Sequence, residues 1–288
     1  MSAAGEKLYK AQQLTGSLLS VGLEPAPEYL PRGFEATIAG FEAALRLIIE
    51  ATSGIAAAFK ANLAFFESLG PDGISLLYRI RACVPADALF IADAKRGDIG
   101  STARHYAKAL YGGLGADAAT VNPLMGRDAA EPFLEWTDRL SFFLCLTSNQ
   151  GAEDFLLPNG LFRSIAAKVE AWNSAGQCGL VVGATQSDRV AEIRSLAPSL
   201  PFLIPGVGAQ GAGAAEIARV IRAGMLGTSP ANGESGDLRG AGLIFHVTRG
   251  ILPSKDDRMD TGERIRQLAT EWRDRINAAR GSEVEVSR

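Results

Sequence analysis

The chain has 288 residues, of which 47% are hydrophobic and 21% are charged, and its formal net charge is −3. This composition is typical of a globular protein long enough for one large α/β domain or two smaller ones. The sequence shows no Lys- and Arg-rich run typical of nucleic-acid binding, no apolar run long enough to cross a membrane, and no apolar export signal at its N-terminus. We therefore expect a cytoplasmic protein that binds neither nucleic acid nor a membrane.

The cysteines and histidines argue against a metal framework. Cys83, Cys145 and Cys178 are widely spaced and have apolar neighbours, which predicts buried thiols in a reducing cytoplasm. The two histidines are too few for a metal site built on imidazoles. We expect His105 on a helix and His246 as a packing residue within a strand.

Strand-like apolar runs alternate with helical segments along the whole chain. A helix is expected over roughly residues 3–14, and helical periodicity recurs in 37–49, 160–172 and 263–279. The eight predicted strands are residues 18–23, 55–59, 89–92, 118–121, 141–146, 179–182, 202–204 and 243–247. The alternation predicts a single (β/α)8 TIM barrel domain over 1–288, with a frayed tail at 281–288. A doubly wound open sheet is the alternative, but no Gly-x-Gly-x-x-Gly motif follows the first strand.

The segment after the third strand carries the strongest functional signal. Asp93, Lys95 and Asp98 follow a buried apolar run, and Gly97 and Gly100 open the turn. If the strand continues, Asp93 and Lys95 share one face, because side chains alternate with period two. An ammonium between carboxylates stays charged, which makes it a proton donor to a strongly basic carbon. A surface ion-pair cluster is the alternative interpretation.

Further polar residues follow the other strands, at the barrel rim where active sites lie. Glu24 follows the first strand, Lys60 and Asn62 the second, and Ser148 the fifth. Lys60 next to Asp93 and Lys95 would complete an alternating array of charges, although a lone Lys at a strand end is more often structural.

The loops after the last two strands suit a phosphate group. Gly206 and Gly208 allow backbone N–H groups to approach an anion closely, and Arg249 adds a forked donor that is always charged. Phosphate sites of (β/α)8 barrels commonly lie between these two loops.

These motifs resemble those of orotidine 5′-phosphate decarboxylases, and in particular of their longer bacterial branch. The signature Asp93-x-Lys95-x-x-Asp98-Ile99 and the segment Gly206-Val207-Gly208-Ala209-Gln210-Gly211 carry the resemblance. It extends over nearly the whole chain. It implies a (β/α)8 barrel that decarboxylates orotidine 5′-phosphate to uridine 5′-phosphate in the final step of de novo UMP synthesis, without a metal or an organic cofactor.

The resemblance also implies roles for individual residues. Lys95 would protonate the C6 carbanion, Asp93 would lie near the departing carboxylate, and Lys60 would belong to the same charge network. Asp98 and Thr102 would reach into the partner subunit's site in a homodimer with shared active sites. The implied catalytic residues are Lys60, Asp93, Lys95 and Asp98. The implied substrate-binding residues are Glu24, Asn62, Thr102, Ser148, Gly206, Gly208, Gln210 and Arg249.

Glu24 stands where the family usually has Asp, which affects the expected ribose contact and the network with Lys60. This departure is the only support for one alternative, a nucleotide-binding protein without catalysis. A second alternative is a Mg²⁺-dependent sugar-phosphate decarboxylase, aldolase or synthase of the same superfamily. Those relatives typically carry Glu at the end of the second strand, where this chain has Lys60, whose charge would repel a cation.

Overall fold

The computed structural model describes residues 1–208, 213–224, 242–253 and 259–281. Eight parallel strands pair in chain order, and the last pairs with the first to close a barrel. The strands are β1 (Leu19–Gly22), β2 (Ala58–Asn62), β3 (Leu89–Arg96), β4 (Ala118–Val121), β5 (Leu140–Leu146), β6 (Cys178–Val182), β7 (Phe202–Ile204) and β8 (Leu243–Val247). The prediction of a (β/α)8 barrel is confirmed.

Helices cover the outside of the barrel. They are α1 (Ala3–Thr15), α2 (Ile38–Thr52), α3 (Leu63–Glu67), α4 (Gly70–Cys83), α5 (Gly100–Ala107), α6 (Arg127–Leu134), α7 (Ala152–Phe155), α8 (Leu161–Trp172), α9 (Val190–Leu196), α10 (Ala214–Gly224) and α11 (Thr261–Gly281). The helices predicted at 3–14, 37–49, 160–172 and 263–279 all form, each with an end that differs by one to three residues. Residues 282–288, most of the predicted frayed tail, lie outside the described residues.

The apolar residues form two cores. The larger core lies between the strands and the surrounding helices, as expected for strands covered on both faces. The smaller core fills the barrel interior, where Leu89, Ile91 and Phe142 pack with Ala4 and Leu8 of α1. Helix α1 therefore closes the amino-terminal end of the barrel, and the opposite end is left for a site.

Two strands extend further than hydropathy predicts. β2 begins at Ala58 and continues through Lys60 to Asn62, and β3 continues past Ala92 to Arg96. The prediction of a strand at 55–59 therefore ended too early. The backbone pairing of β2 with β3 runs from Ala58 to Asn62 regardless of side-chain polarity. Polar site residues thus belong to the strands themselves.

The structure gives partial support for the cysteine prediction. All three cysteines are free thiols, and Cys145 and Cys178 are buried. Cys83 is only partly buried, at the end of α4, so the prediction that it is buried is wrong. Among the helices of the described ranges, none has the combination of length and apolar character that a membrane crossing requires.

Candidate active site

A cavity of about 380 Å³ opens at the carboxyl ends of the strands. Most of the side chains that the sequence pointed to line it. They are Glu24, Lys60, Asn62, Asp93, Lys95, Ser148, Gly206 and Arg249. The barrel thus brings residues from six different strands or the loops that follow them to one opening.

A row of alternating charges crosses the floor of this cavity. Lys60 Nζ lies 2.7 Å from Asp93 Oδ2 and 3.5 Å from Glu24 Oε1. Lys95 Nζ lies 2.6 Å from Asp93 Oδ1. The side chain of Lys60 is only 5% exposed, whereas that of Lys95 is 47% exposed. Lys95 is therefore the ammonium that a ligand in the cavity can reach.

Burial and neighbouring charges have opposite effects on the pKa values of Lys60 and Asp93 in this row. Burial favours the neutral forms of Lys60 and Asp93, but their mutual attraction outweighs it. Asp93 and Glu24 raise the pKa of Lys60. Lys60 and Lys95 together hold the pKa of Asp93 well below its usual range. Both groups are therefore charged at neutral pH. The ammonium between two carboxylates is that of Lys60, whereas the sequence predicted this position for Lys95, which pairs here with Asp93.

Lys95 reaches Asp93 through an irregular backbone and not through a straight strand. Its φ is +48°, in the left-handed region that non-glycine residues rarely adopt. The register between β3 and β4 shifts between Ala92 and Arg96. The Lys95 N–H donates to Thr120 Oγ1 at 2.9 Å, and the same hydroxyl donates to Asp93 Oδ1 at 2.8 Å. One threonine therefore fixes both the strained backbone and the carboxylate.

Glu24 lies at the other end of the row, next to His246. The two side chains approach within 4.0 Å, from Glu24 Oε1 to His246 Nε2. Burial raises the pKa of Glu24 against the opposing effect of Lys60, and burial together with Lys60 holds the pKa of His246 well below its usual value. Thr248 also lies beside the buried Glu24 carboxylate and opposes the rise of its pKa.

The opposite wall of the cavity has the character of an anion site. Gly206 and Gly208 have φ values of +91° and +78°, so the turn after β7 requires glycine at both positions. The exposed Arg249 begins a short 3₁₀ helix directly after β8 and also lines the cavity. Backbone N–H groups opposite a guanidinium suit a phosphate.

Three of the predicted residues that the structure describes, Asp98, Thr102 and Gly208, do not line this cavity. Asp98 lies past the end of β3, where its Oδ1 accepts from the Ile99 N–H at 2.7 Å, and Thr102 is exposed on α5. Neither lines the cavity. Gln210 lies outside the described residues. Within one chain, the catalytic set expected from the sequence therefore lacks Asp98.

The cavity also includes residues that sequence reasoning did not assign to a site. Thr120 of β4 binds Asp93, and His246, expected only to pack, lines the cavity from β8. Tyr29 and Phe65 form an aromatic edge with ring centroids 5.7 Å apart. The sequence signal for Thr120 was its position near the end of a strand adjacent to β3. In the described ranges, no group of three or more His, Cys, Asp or Glu side chains is placed to hold a metal ion.

Comparisons with known proteins agree with this geometry. Residues 17–265 match the family described as orotidine 5′-phosphate decarboxylase / HUMPS. The orotidine 5′-phosphate decarboxylase of Dehalococcoides mccartyi is 40% identical over 280 residues, covering 94% of this chain and 96% of the relative. That of Ralstonia pickettii is 38% identical over 285 residues, covering 96% and 98%. The solved structure of Leishmania donovani OMP decarboxylase superposes with a TM-score of 0.78 at 35% identity, covering 97% of this chain and 99% of that one. The chain therefore belongs to the orotidine 5′-phosphate decarboxylase / HUMPS family.

Proposed function

We propose that this protein converts orotidine 5′-phosphate into uridine 5′-phosphate and CO2, the final step of de novo UMP synthesis. The observation that carries the proposal is the row of Lys60, Asp93 and Lys95 at the cavity, with only Lys95 accessible to a ligand. The proposed reaction uses no metal ion and no organic cofactor.

In the proposed step, the bond between C6 of the pyrimidine and its carboxylate breaks. CO2 leaves, and the electron pair stays on C6. The Lys95 ammonium stabilises this carbanion and transfers a proton to it, and the resulting neutral amine recovers a proton from solvent. Asp93 would lie beside the departing carboxylate, so loss of CO2 relieves a repulsion between like charges. Because these charges are fixed before the reaction, they need no reorganisation in the transition state.

The remaining cavity residues are proposed to hold the nucleotide. Gly206, Gly208 and Arg249 would bind the phosphate, together with Gln210. Ser148 would contact the pyrimidine, while Glu24 and Asn62 would lie near the ribose. A phosphate held far from C6 supplies binding energy that is realised at the reacting carbon.

The position of Lys60 favours this reaction over that of a Mg²⁺-dependent sugar-phosphate enzyme. Its ammonium lies between Glu24 and Asp93, at 3.5 Å and 2.7 Å, where a divalent cation would otherwise find two carboxylates. A cation placed there would meet a buried positive charge. Activity that a chelator abolishes would reverse this preference.

The direct test is the loss of ultraviolet absorbance of orotidine 5′-phosphate over time. Wild-type protein should consume the substrate, and Lys95→Ala should not. Lys168→Ala, an exposed lysine on α8 outside the cavity, serves as the matched control and should retain full activity. Wild-type protein that leaves the absorbance unchanged over hours, while binding uridine 5′-phosphate tightly, would instead support a non-catalytic binding protein. Near-full activity of Lys95→Ala would refute the role given to Lys95.

We further propose a homodimer in which Asp98 and Thr102 complete the partner's site. Both residues lie outside this chain's own cavity, although they follow the same strand as Lys95. Ile99, Leu124 and Met125, which follow the adjacent strands β3 and β4, are 56%, 57% and 49% exposed. Several large apolar side chains exposed close to Asp98 in the chain or on the adjacent strand are the kind of surface that a second subunit covers.

Mixed dimers test this arrangement. Lys95→Ala and Asp98→Ala should each be inactive alone. When they are unfolded and refolded together, about one quarter of wild-type activity should return, because half of the dimers are mixed and each of those holds one complete site. No recovery in a mixture that light scattering shows to be dimeric would refute the sharing of Asp98.

Two broader proposals complete this assignment. We propose that the whole chain acts as one barrel domain, which the closed sheet and its two cores support. We also propose a cytoplasmic location, which the three free thiols support.

A further inference from the structure

Trp272 contacts both of the loops that form the anion side of the cavity. It lies on α11, the last helix, and is only 8% exposed. Its indole Nε1–H donates to the carbonyl oxygen of Gly250 at 3.0 Å. Gly250 directly follows Arg249, so this hydrogen bond fixes the backbone next to the guanidinium.

The same edge of the indole ring packs against the loop after β7. A methyl group placed on Gly208 would lie 3.0 Å from both Cζ2 and Cη2 of Trp272. One placed on Gly250 would lie 2.5 Å from Nε1 and 2.9 Å from Cε2. Both glycines therefore touch one continuous ring edge that runs from Nε1 to Cη2. On α11 itself, the Arg275 guanidinium carbon lies 4.5 Å from the centroid of the same ring.

We propose that Trp272 is a positioning residue that holds the β7 and β8 loops at the separation a phosphate requires. The inference deepens the proposed function and rests on it, since the phosphate of the nucleotide is the group to be held. Trp272 does not line the cavity, so it acts through Gly208 and Gly250 and not on the ligand itself.

The physical reason is the conformational freedom of glycine at these two turns. Glycine loses more conformational freedom on ordering than any other residue, and here Gly206 and Gly208 both adopt positive φ. A loop that must order upon binding lowers affinity, whereas a loop ordered in advance does not. A rigid aromatic edge that is hydrogen-bonded to one loop and packed against the other keeps both in place before the phosphate arrives.

Trp272→Phe tests the inference, because it removes the Nε1 donor and the far edge of the ring but keeps a buried aromatic group. The measurement is kcat/KM for orotidine 5′-phosphate divided by kcat/KM for orotidine, which lacks the phosphate. This ratio should fall by about three- to tenfold, the loss expected from one neutral hydrogen bond. Because both values come from the same protein sample, the ratio does not depend on the fraction that is correctly folded.

Trp172→Phe is the matched control. Trp172 packs edge-to-face against Phe143 at 5.7 Å between centroids and lies outside the cavity, so its substitution should leave the ratio unchanged. An unchanged ratio in Trp272→Phe, or an equal fall in both variants, would overturn the inference. Failure of the wild-type protein to turn over orotidine 5′-phosphate would instead overturn the proposed function.

Discussion

Replacement of Lys60 by methionine should destabilise the protein far more than the loss of an ordinary ion pair. The Lys60 ammonium lies 2.7 Å from Asp93 and 3.5 Å from Glu24. At an effective dielectric constant of about 20, these separations correspond to gross attractions of about 6 and about 5 kcal/mol. Methionine keeps the apolar stem and removes both attractions. It leaves two buried carboxylates with Lys95 as their nearest remaining counter-charge.

The net cost is smaller than the gross attraction, because burial of the ammonium itself requires desolvation. Removal of one partner from a buried pair typically costs about 3–5 kcal/mol. Lys7→Met is a matched control, because Lys7 Nζ also lies 2.7 Å from a carboxylate, that of Asp117, at the closed end of the barrel. The Lys7 side chain is 22% exposed, and Asp117 also has Arg81 and Arg139 each at 3.9 Å. This substitution should cost no more than about 1 kcal/mol.

Urea unfolding at pH 7 measures the free energy of unfolding of the wild-type protein and of both variants. We expect Lys60→Met to lower the free energy of unfolding by at least about 2 kcal/mol more than Lys7→Met does, because a buried ion pair costs more to break than a partly exposed one. Addition of Asp93→Asn to Lys60→Met should recover part of the loss, because it removes one of the stranded charges. Equal losses in the two single variants, or a further loss in the double variant, would show that packing and not charge governs this site.

Two further predictions concern the carboxylates of the same row. Glu24→Asp should retain or improve kcat/KM for orotidine 5′-phosphate, since it restores the residue usual in the family; a large loss would show that the longer side chain is required here. Although burial opposes ionisation, the two flanking ammonium groups hold the pKa of Asp93 below its unfolded value. Its contribution to stability is therefore fully present above about pH 4 and is lost as the pH falls through the native pKa. Urea unfolding below pH 5 should accordingly depend less steeply on pH in Asp93→Asn, and an unchanged slope would contradict this assignment.

The barrel could be predicted because its strands are nearly continuous apolar runs separated by amphipathic helices. The same signal misplaced the ends of β2 and β3, since hydropathy falls at Lys60 and at Asp93 while the backbone ladder continues. Pairing with a neighbouring strand extends a strand through polar residues that no single-strand pattern includes. The charged residues Lys60, Asp93 and Lys95 of the candidate site lie in these extensions, so the error in the strand ends and the location of these charges have one cause.

The charged part of the candidate site could also be predicted, because Lys60, Asp93 and Lys95 follow apolar runs on two adjacent strands and together form an array of alternating charges. Thr120 and His246 were not assigned to the site, since each lies within an apolar strand and makes its contact with a residue of an adjacent strand or of the loop that follows it. Their partners are distant in sequence: Thr120 binds Asp93, and His246 approaches Glu24. Pairing of β4 with β3 brings Thr120 to Asp93, whereas closure of the sheet by β8 and β1 brings His246 to Glu24.

The left-handed conformation of Lys95 explains how one lysine is exposed while its neighbour is buried. Lys60 lies within a regular strand and points its ammonium into the carboxylates, where it is 5% exposed. Lys95 lies where the β3–β4 register shifts, and Thr120 holds its backbone N–H in place of a regular ladder partner. If β3 were regular as far as Lys95, the Lys95 ammonium would point in the same direction as that of Lys60. The irregularity costs conformational energy, of order 1–3 kcal/mol for such a residue, and the Thr120 hydroxyl offsets part of that cost. The result is a charge that stays bound to Asp93 and still faces the cavity, which a proton donor to a bound substrate requires.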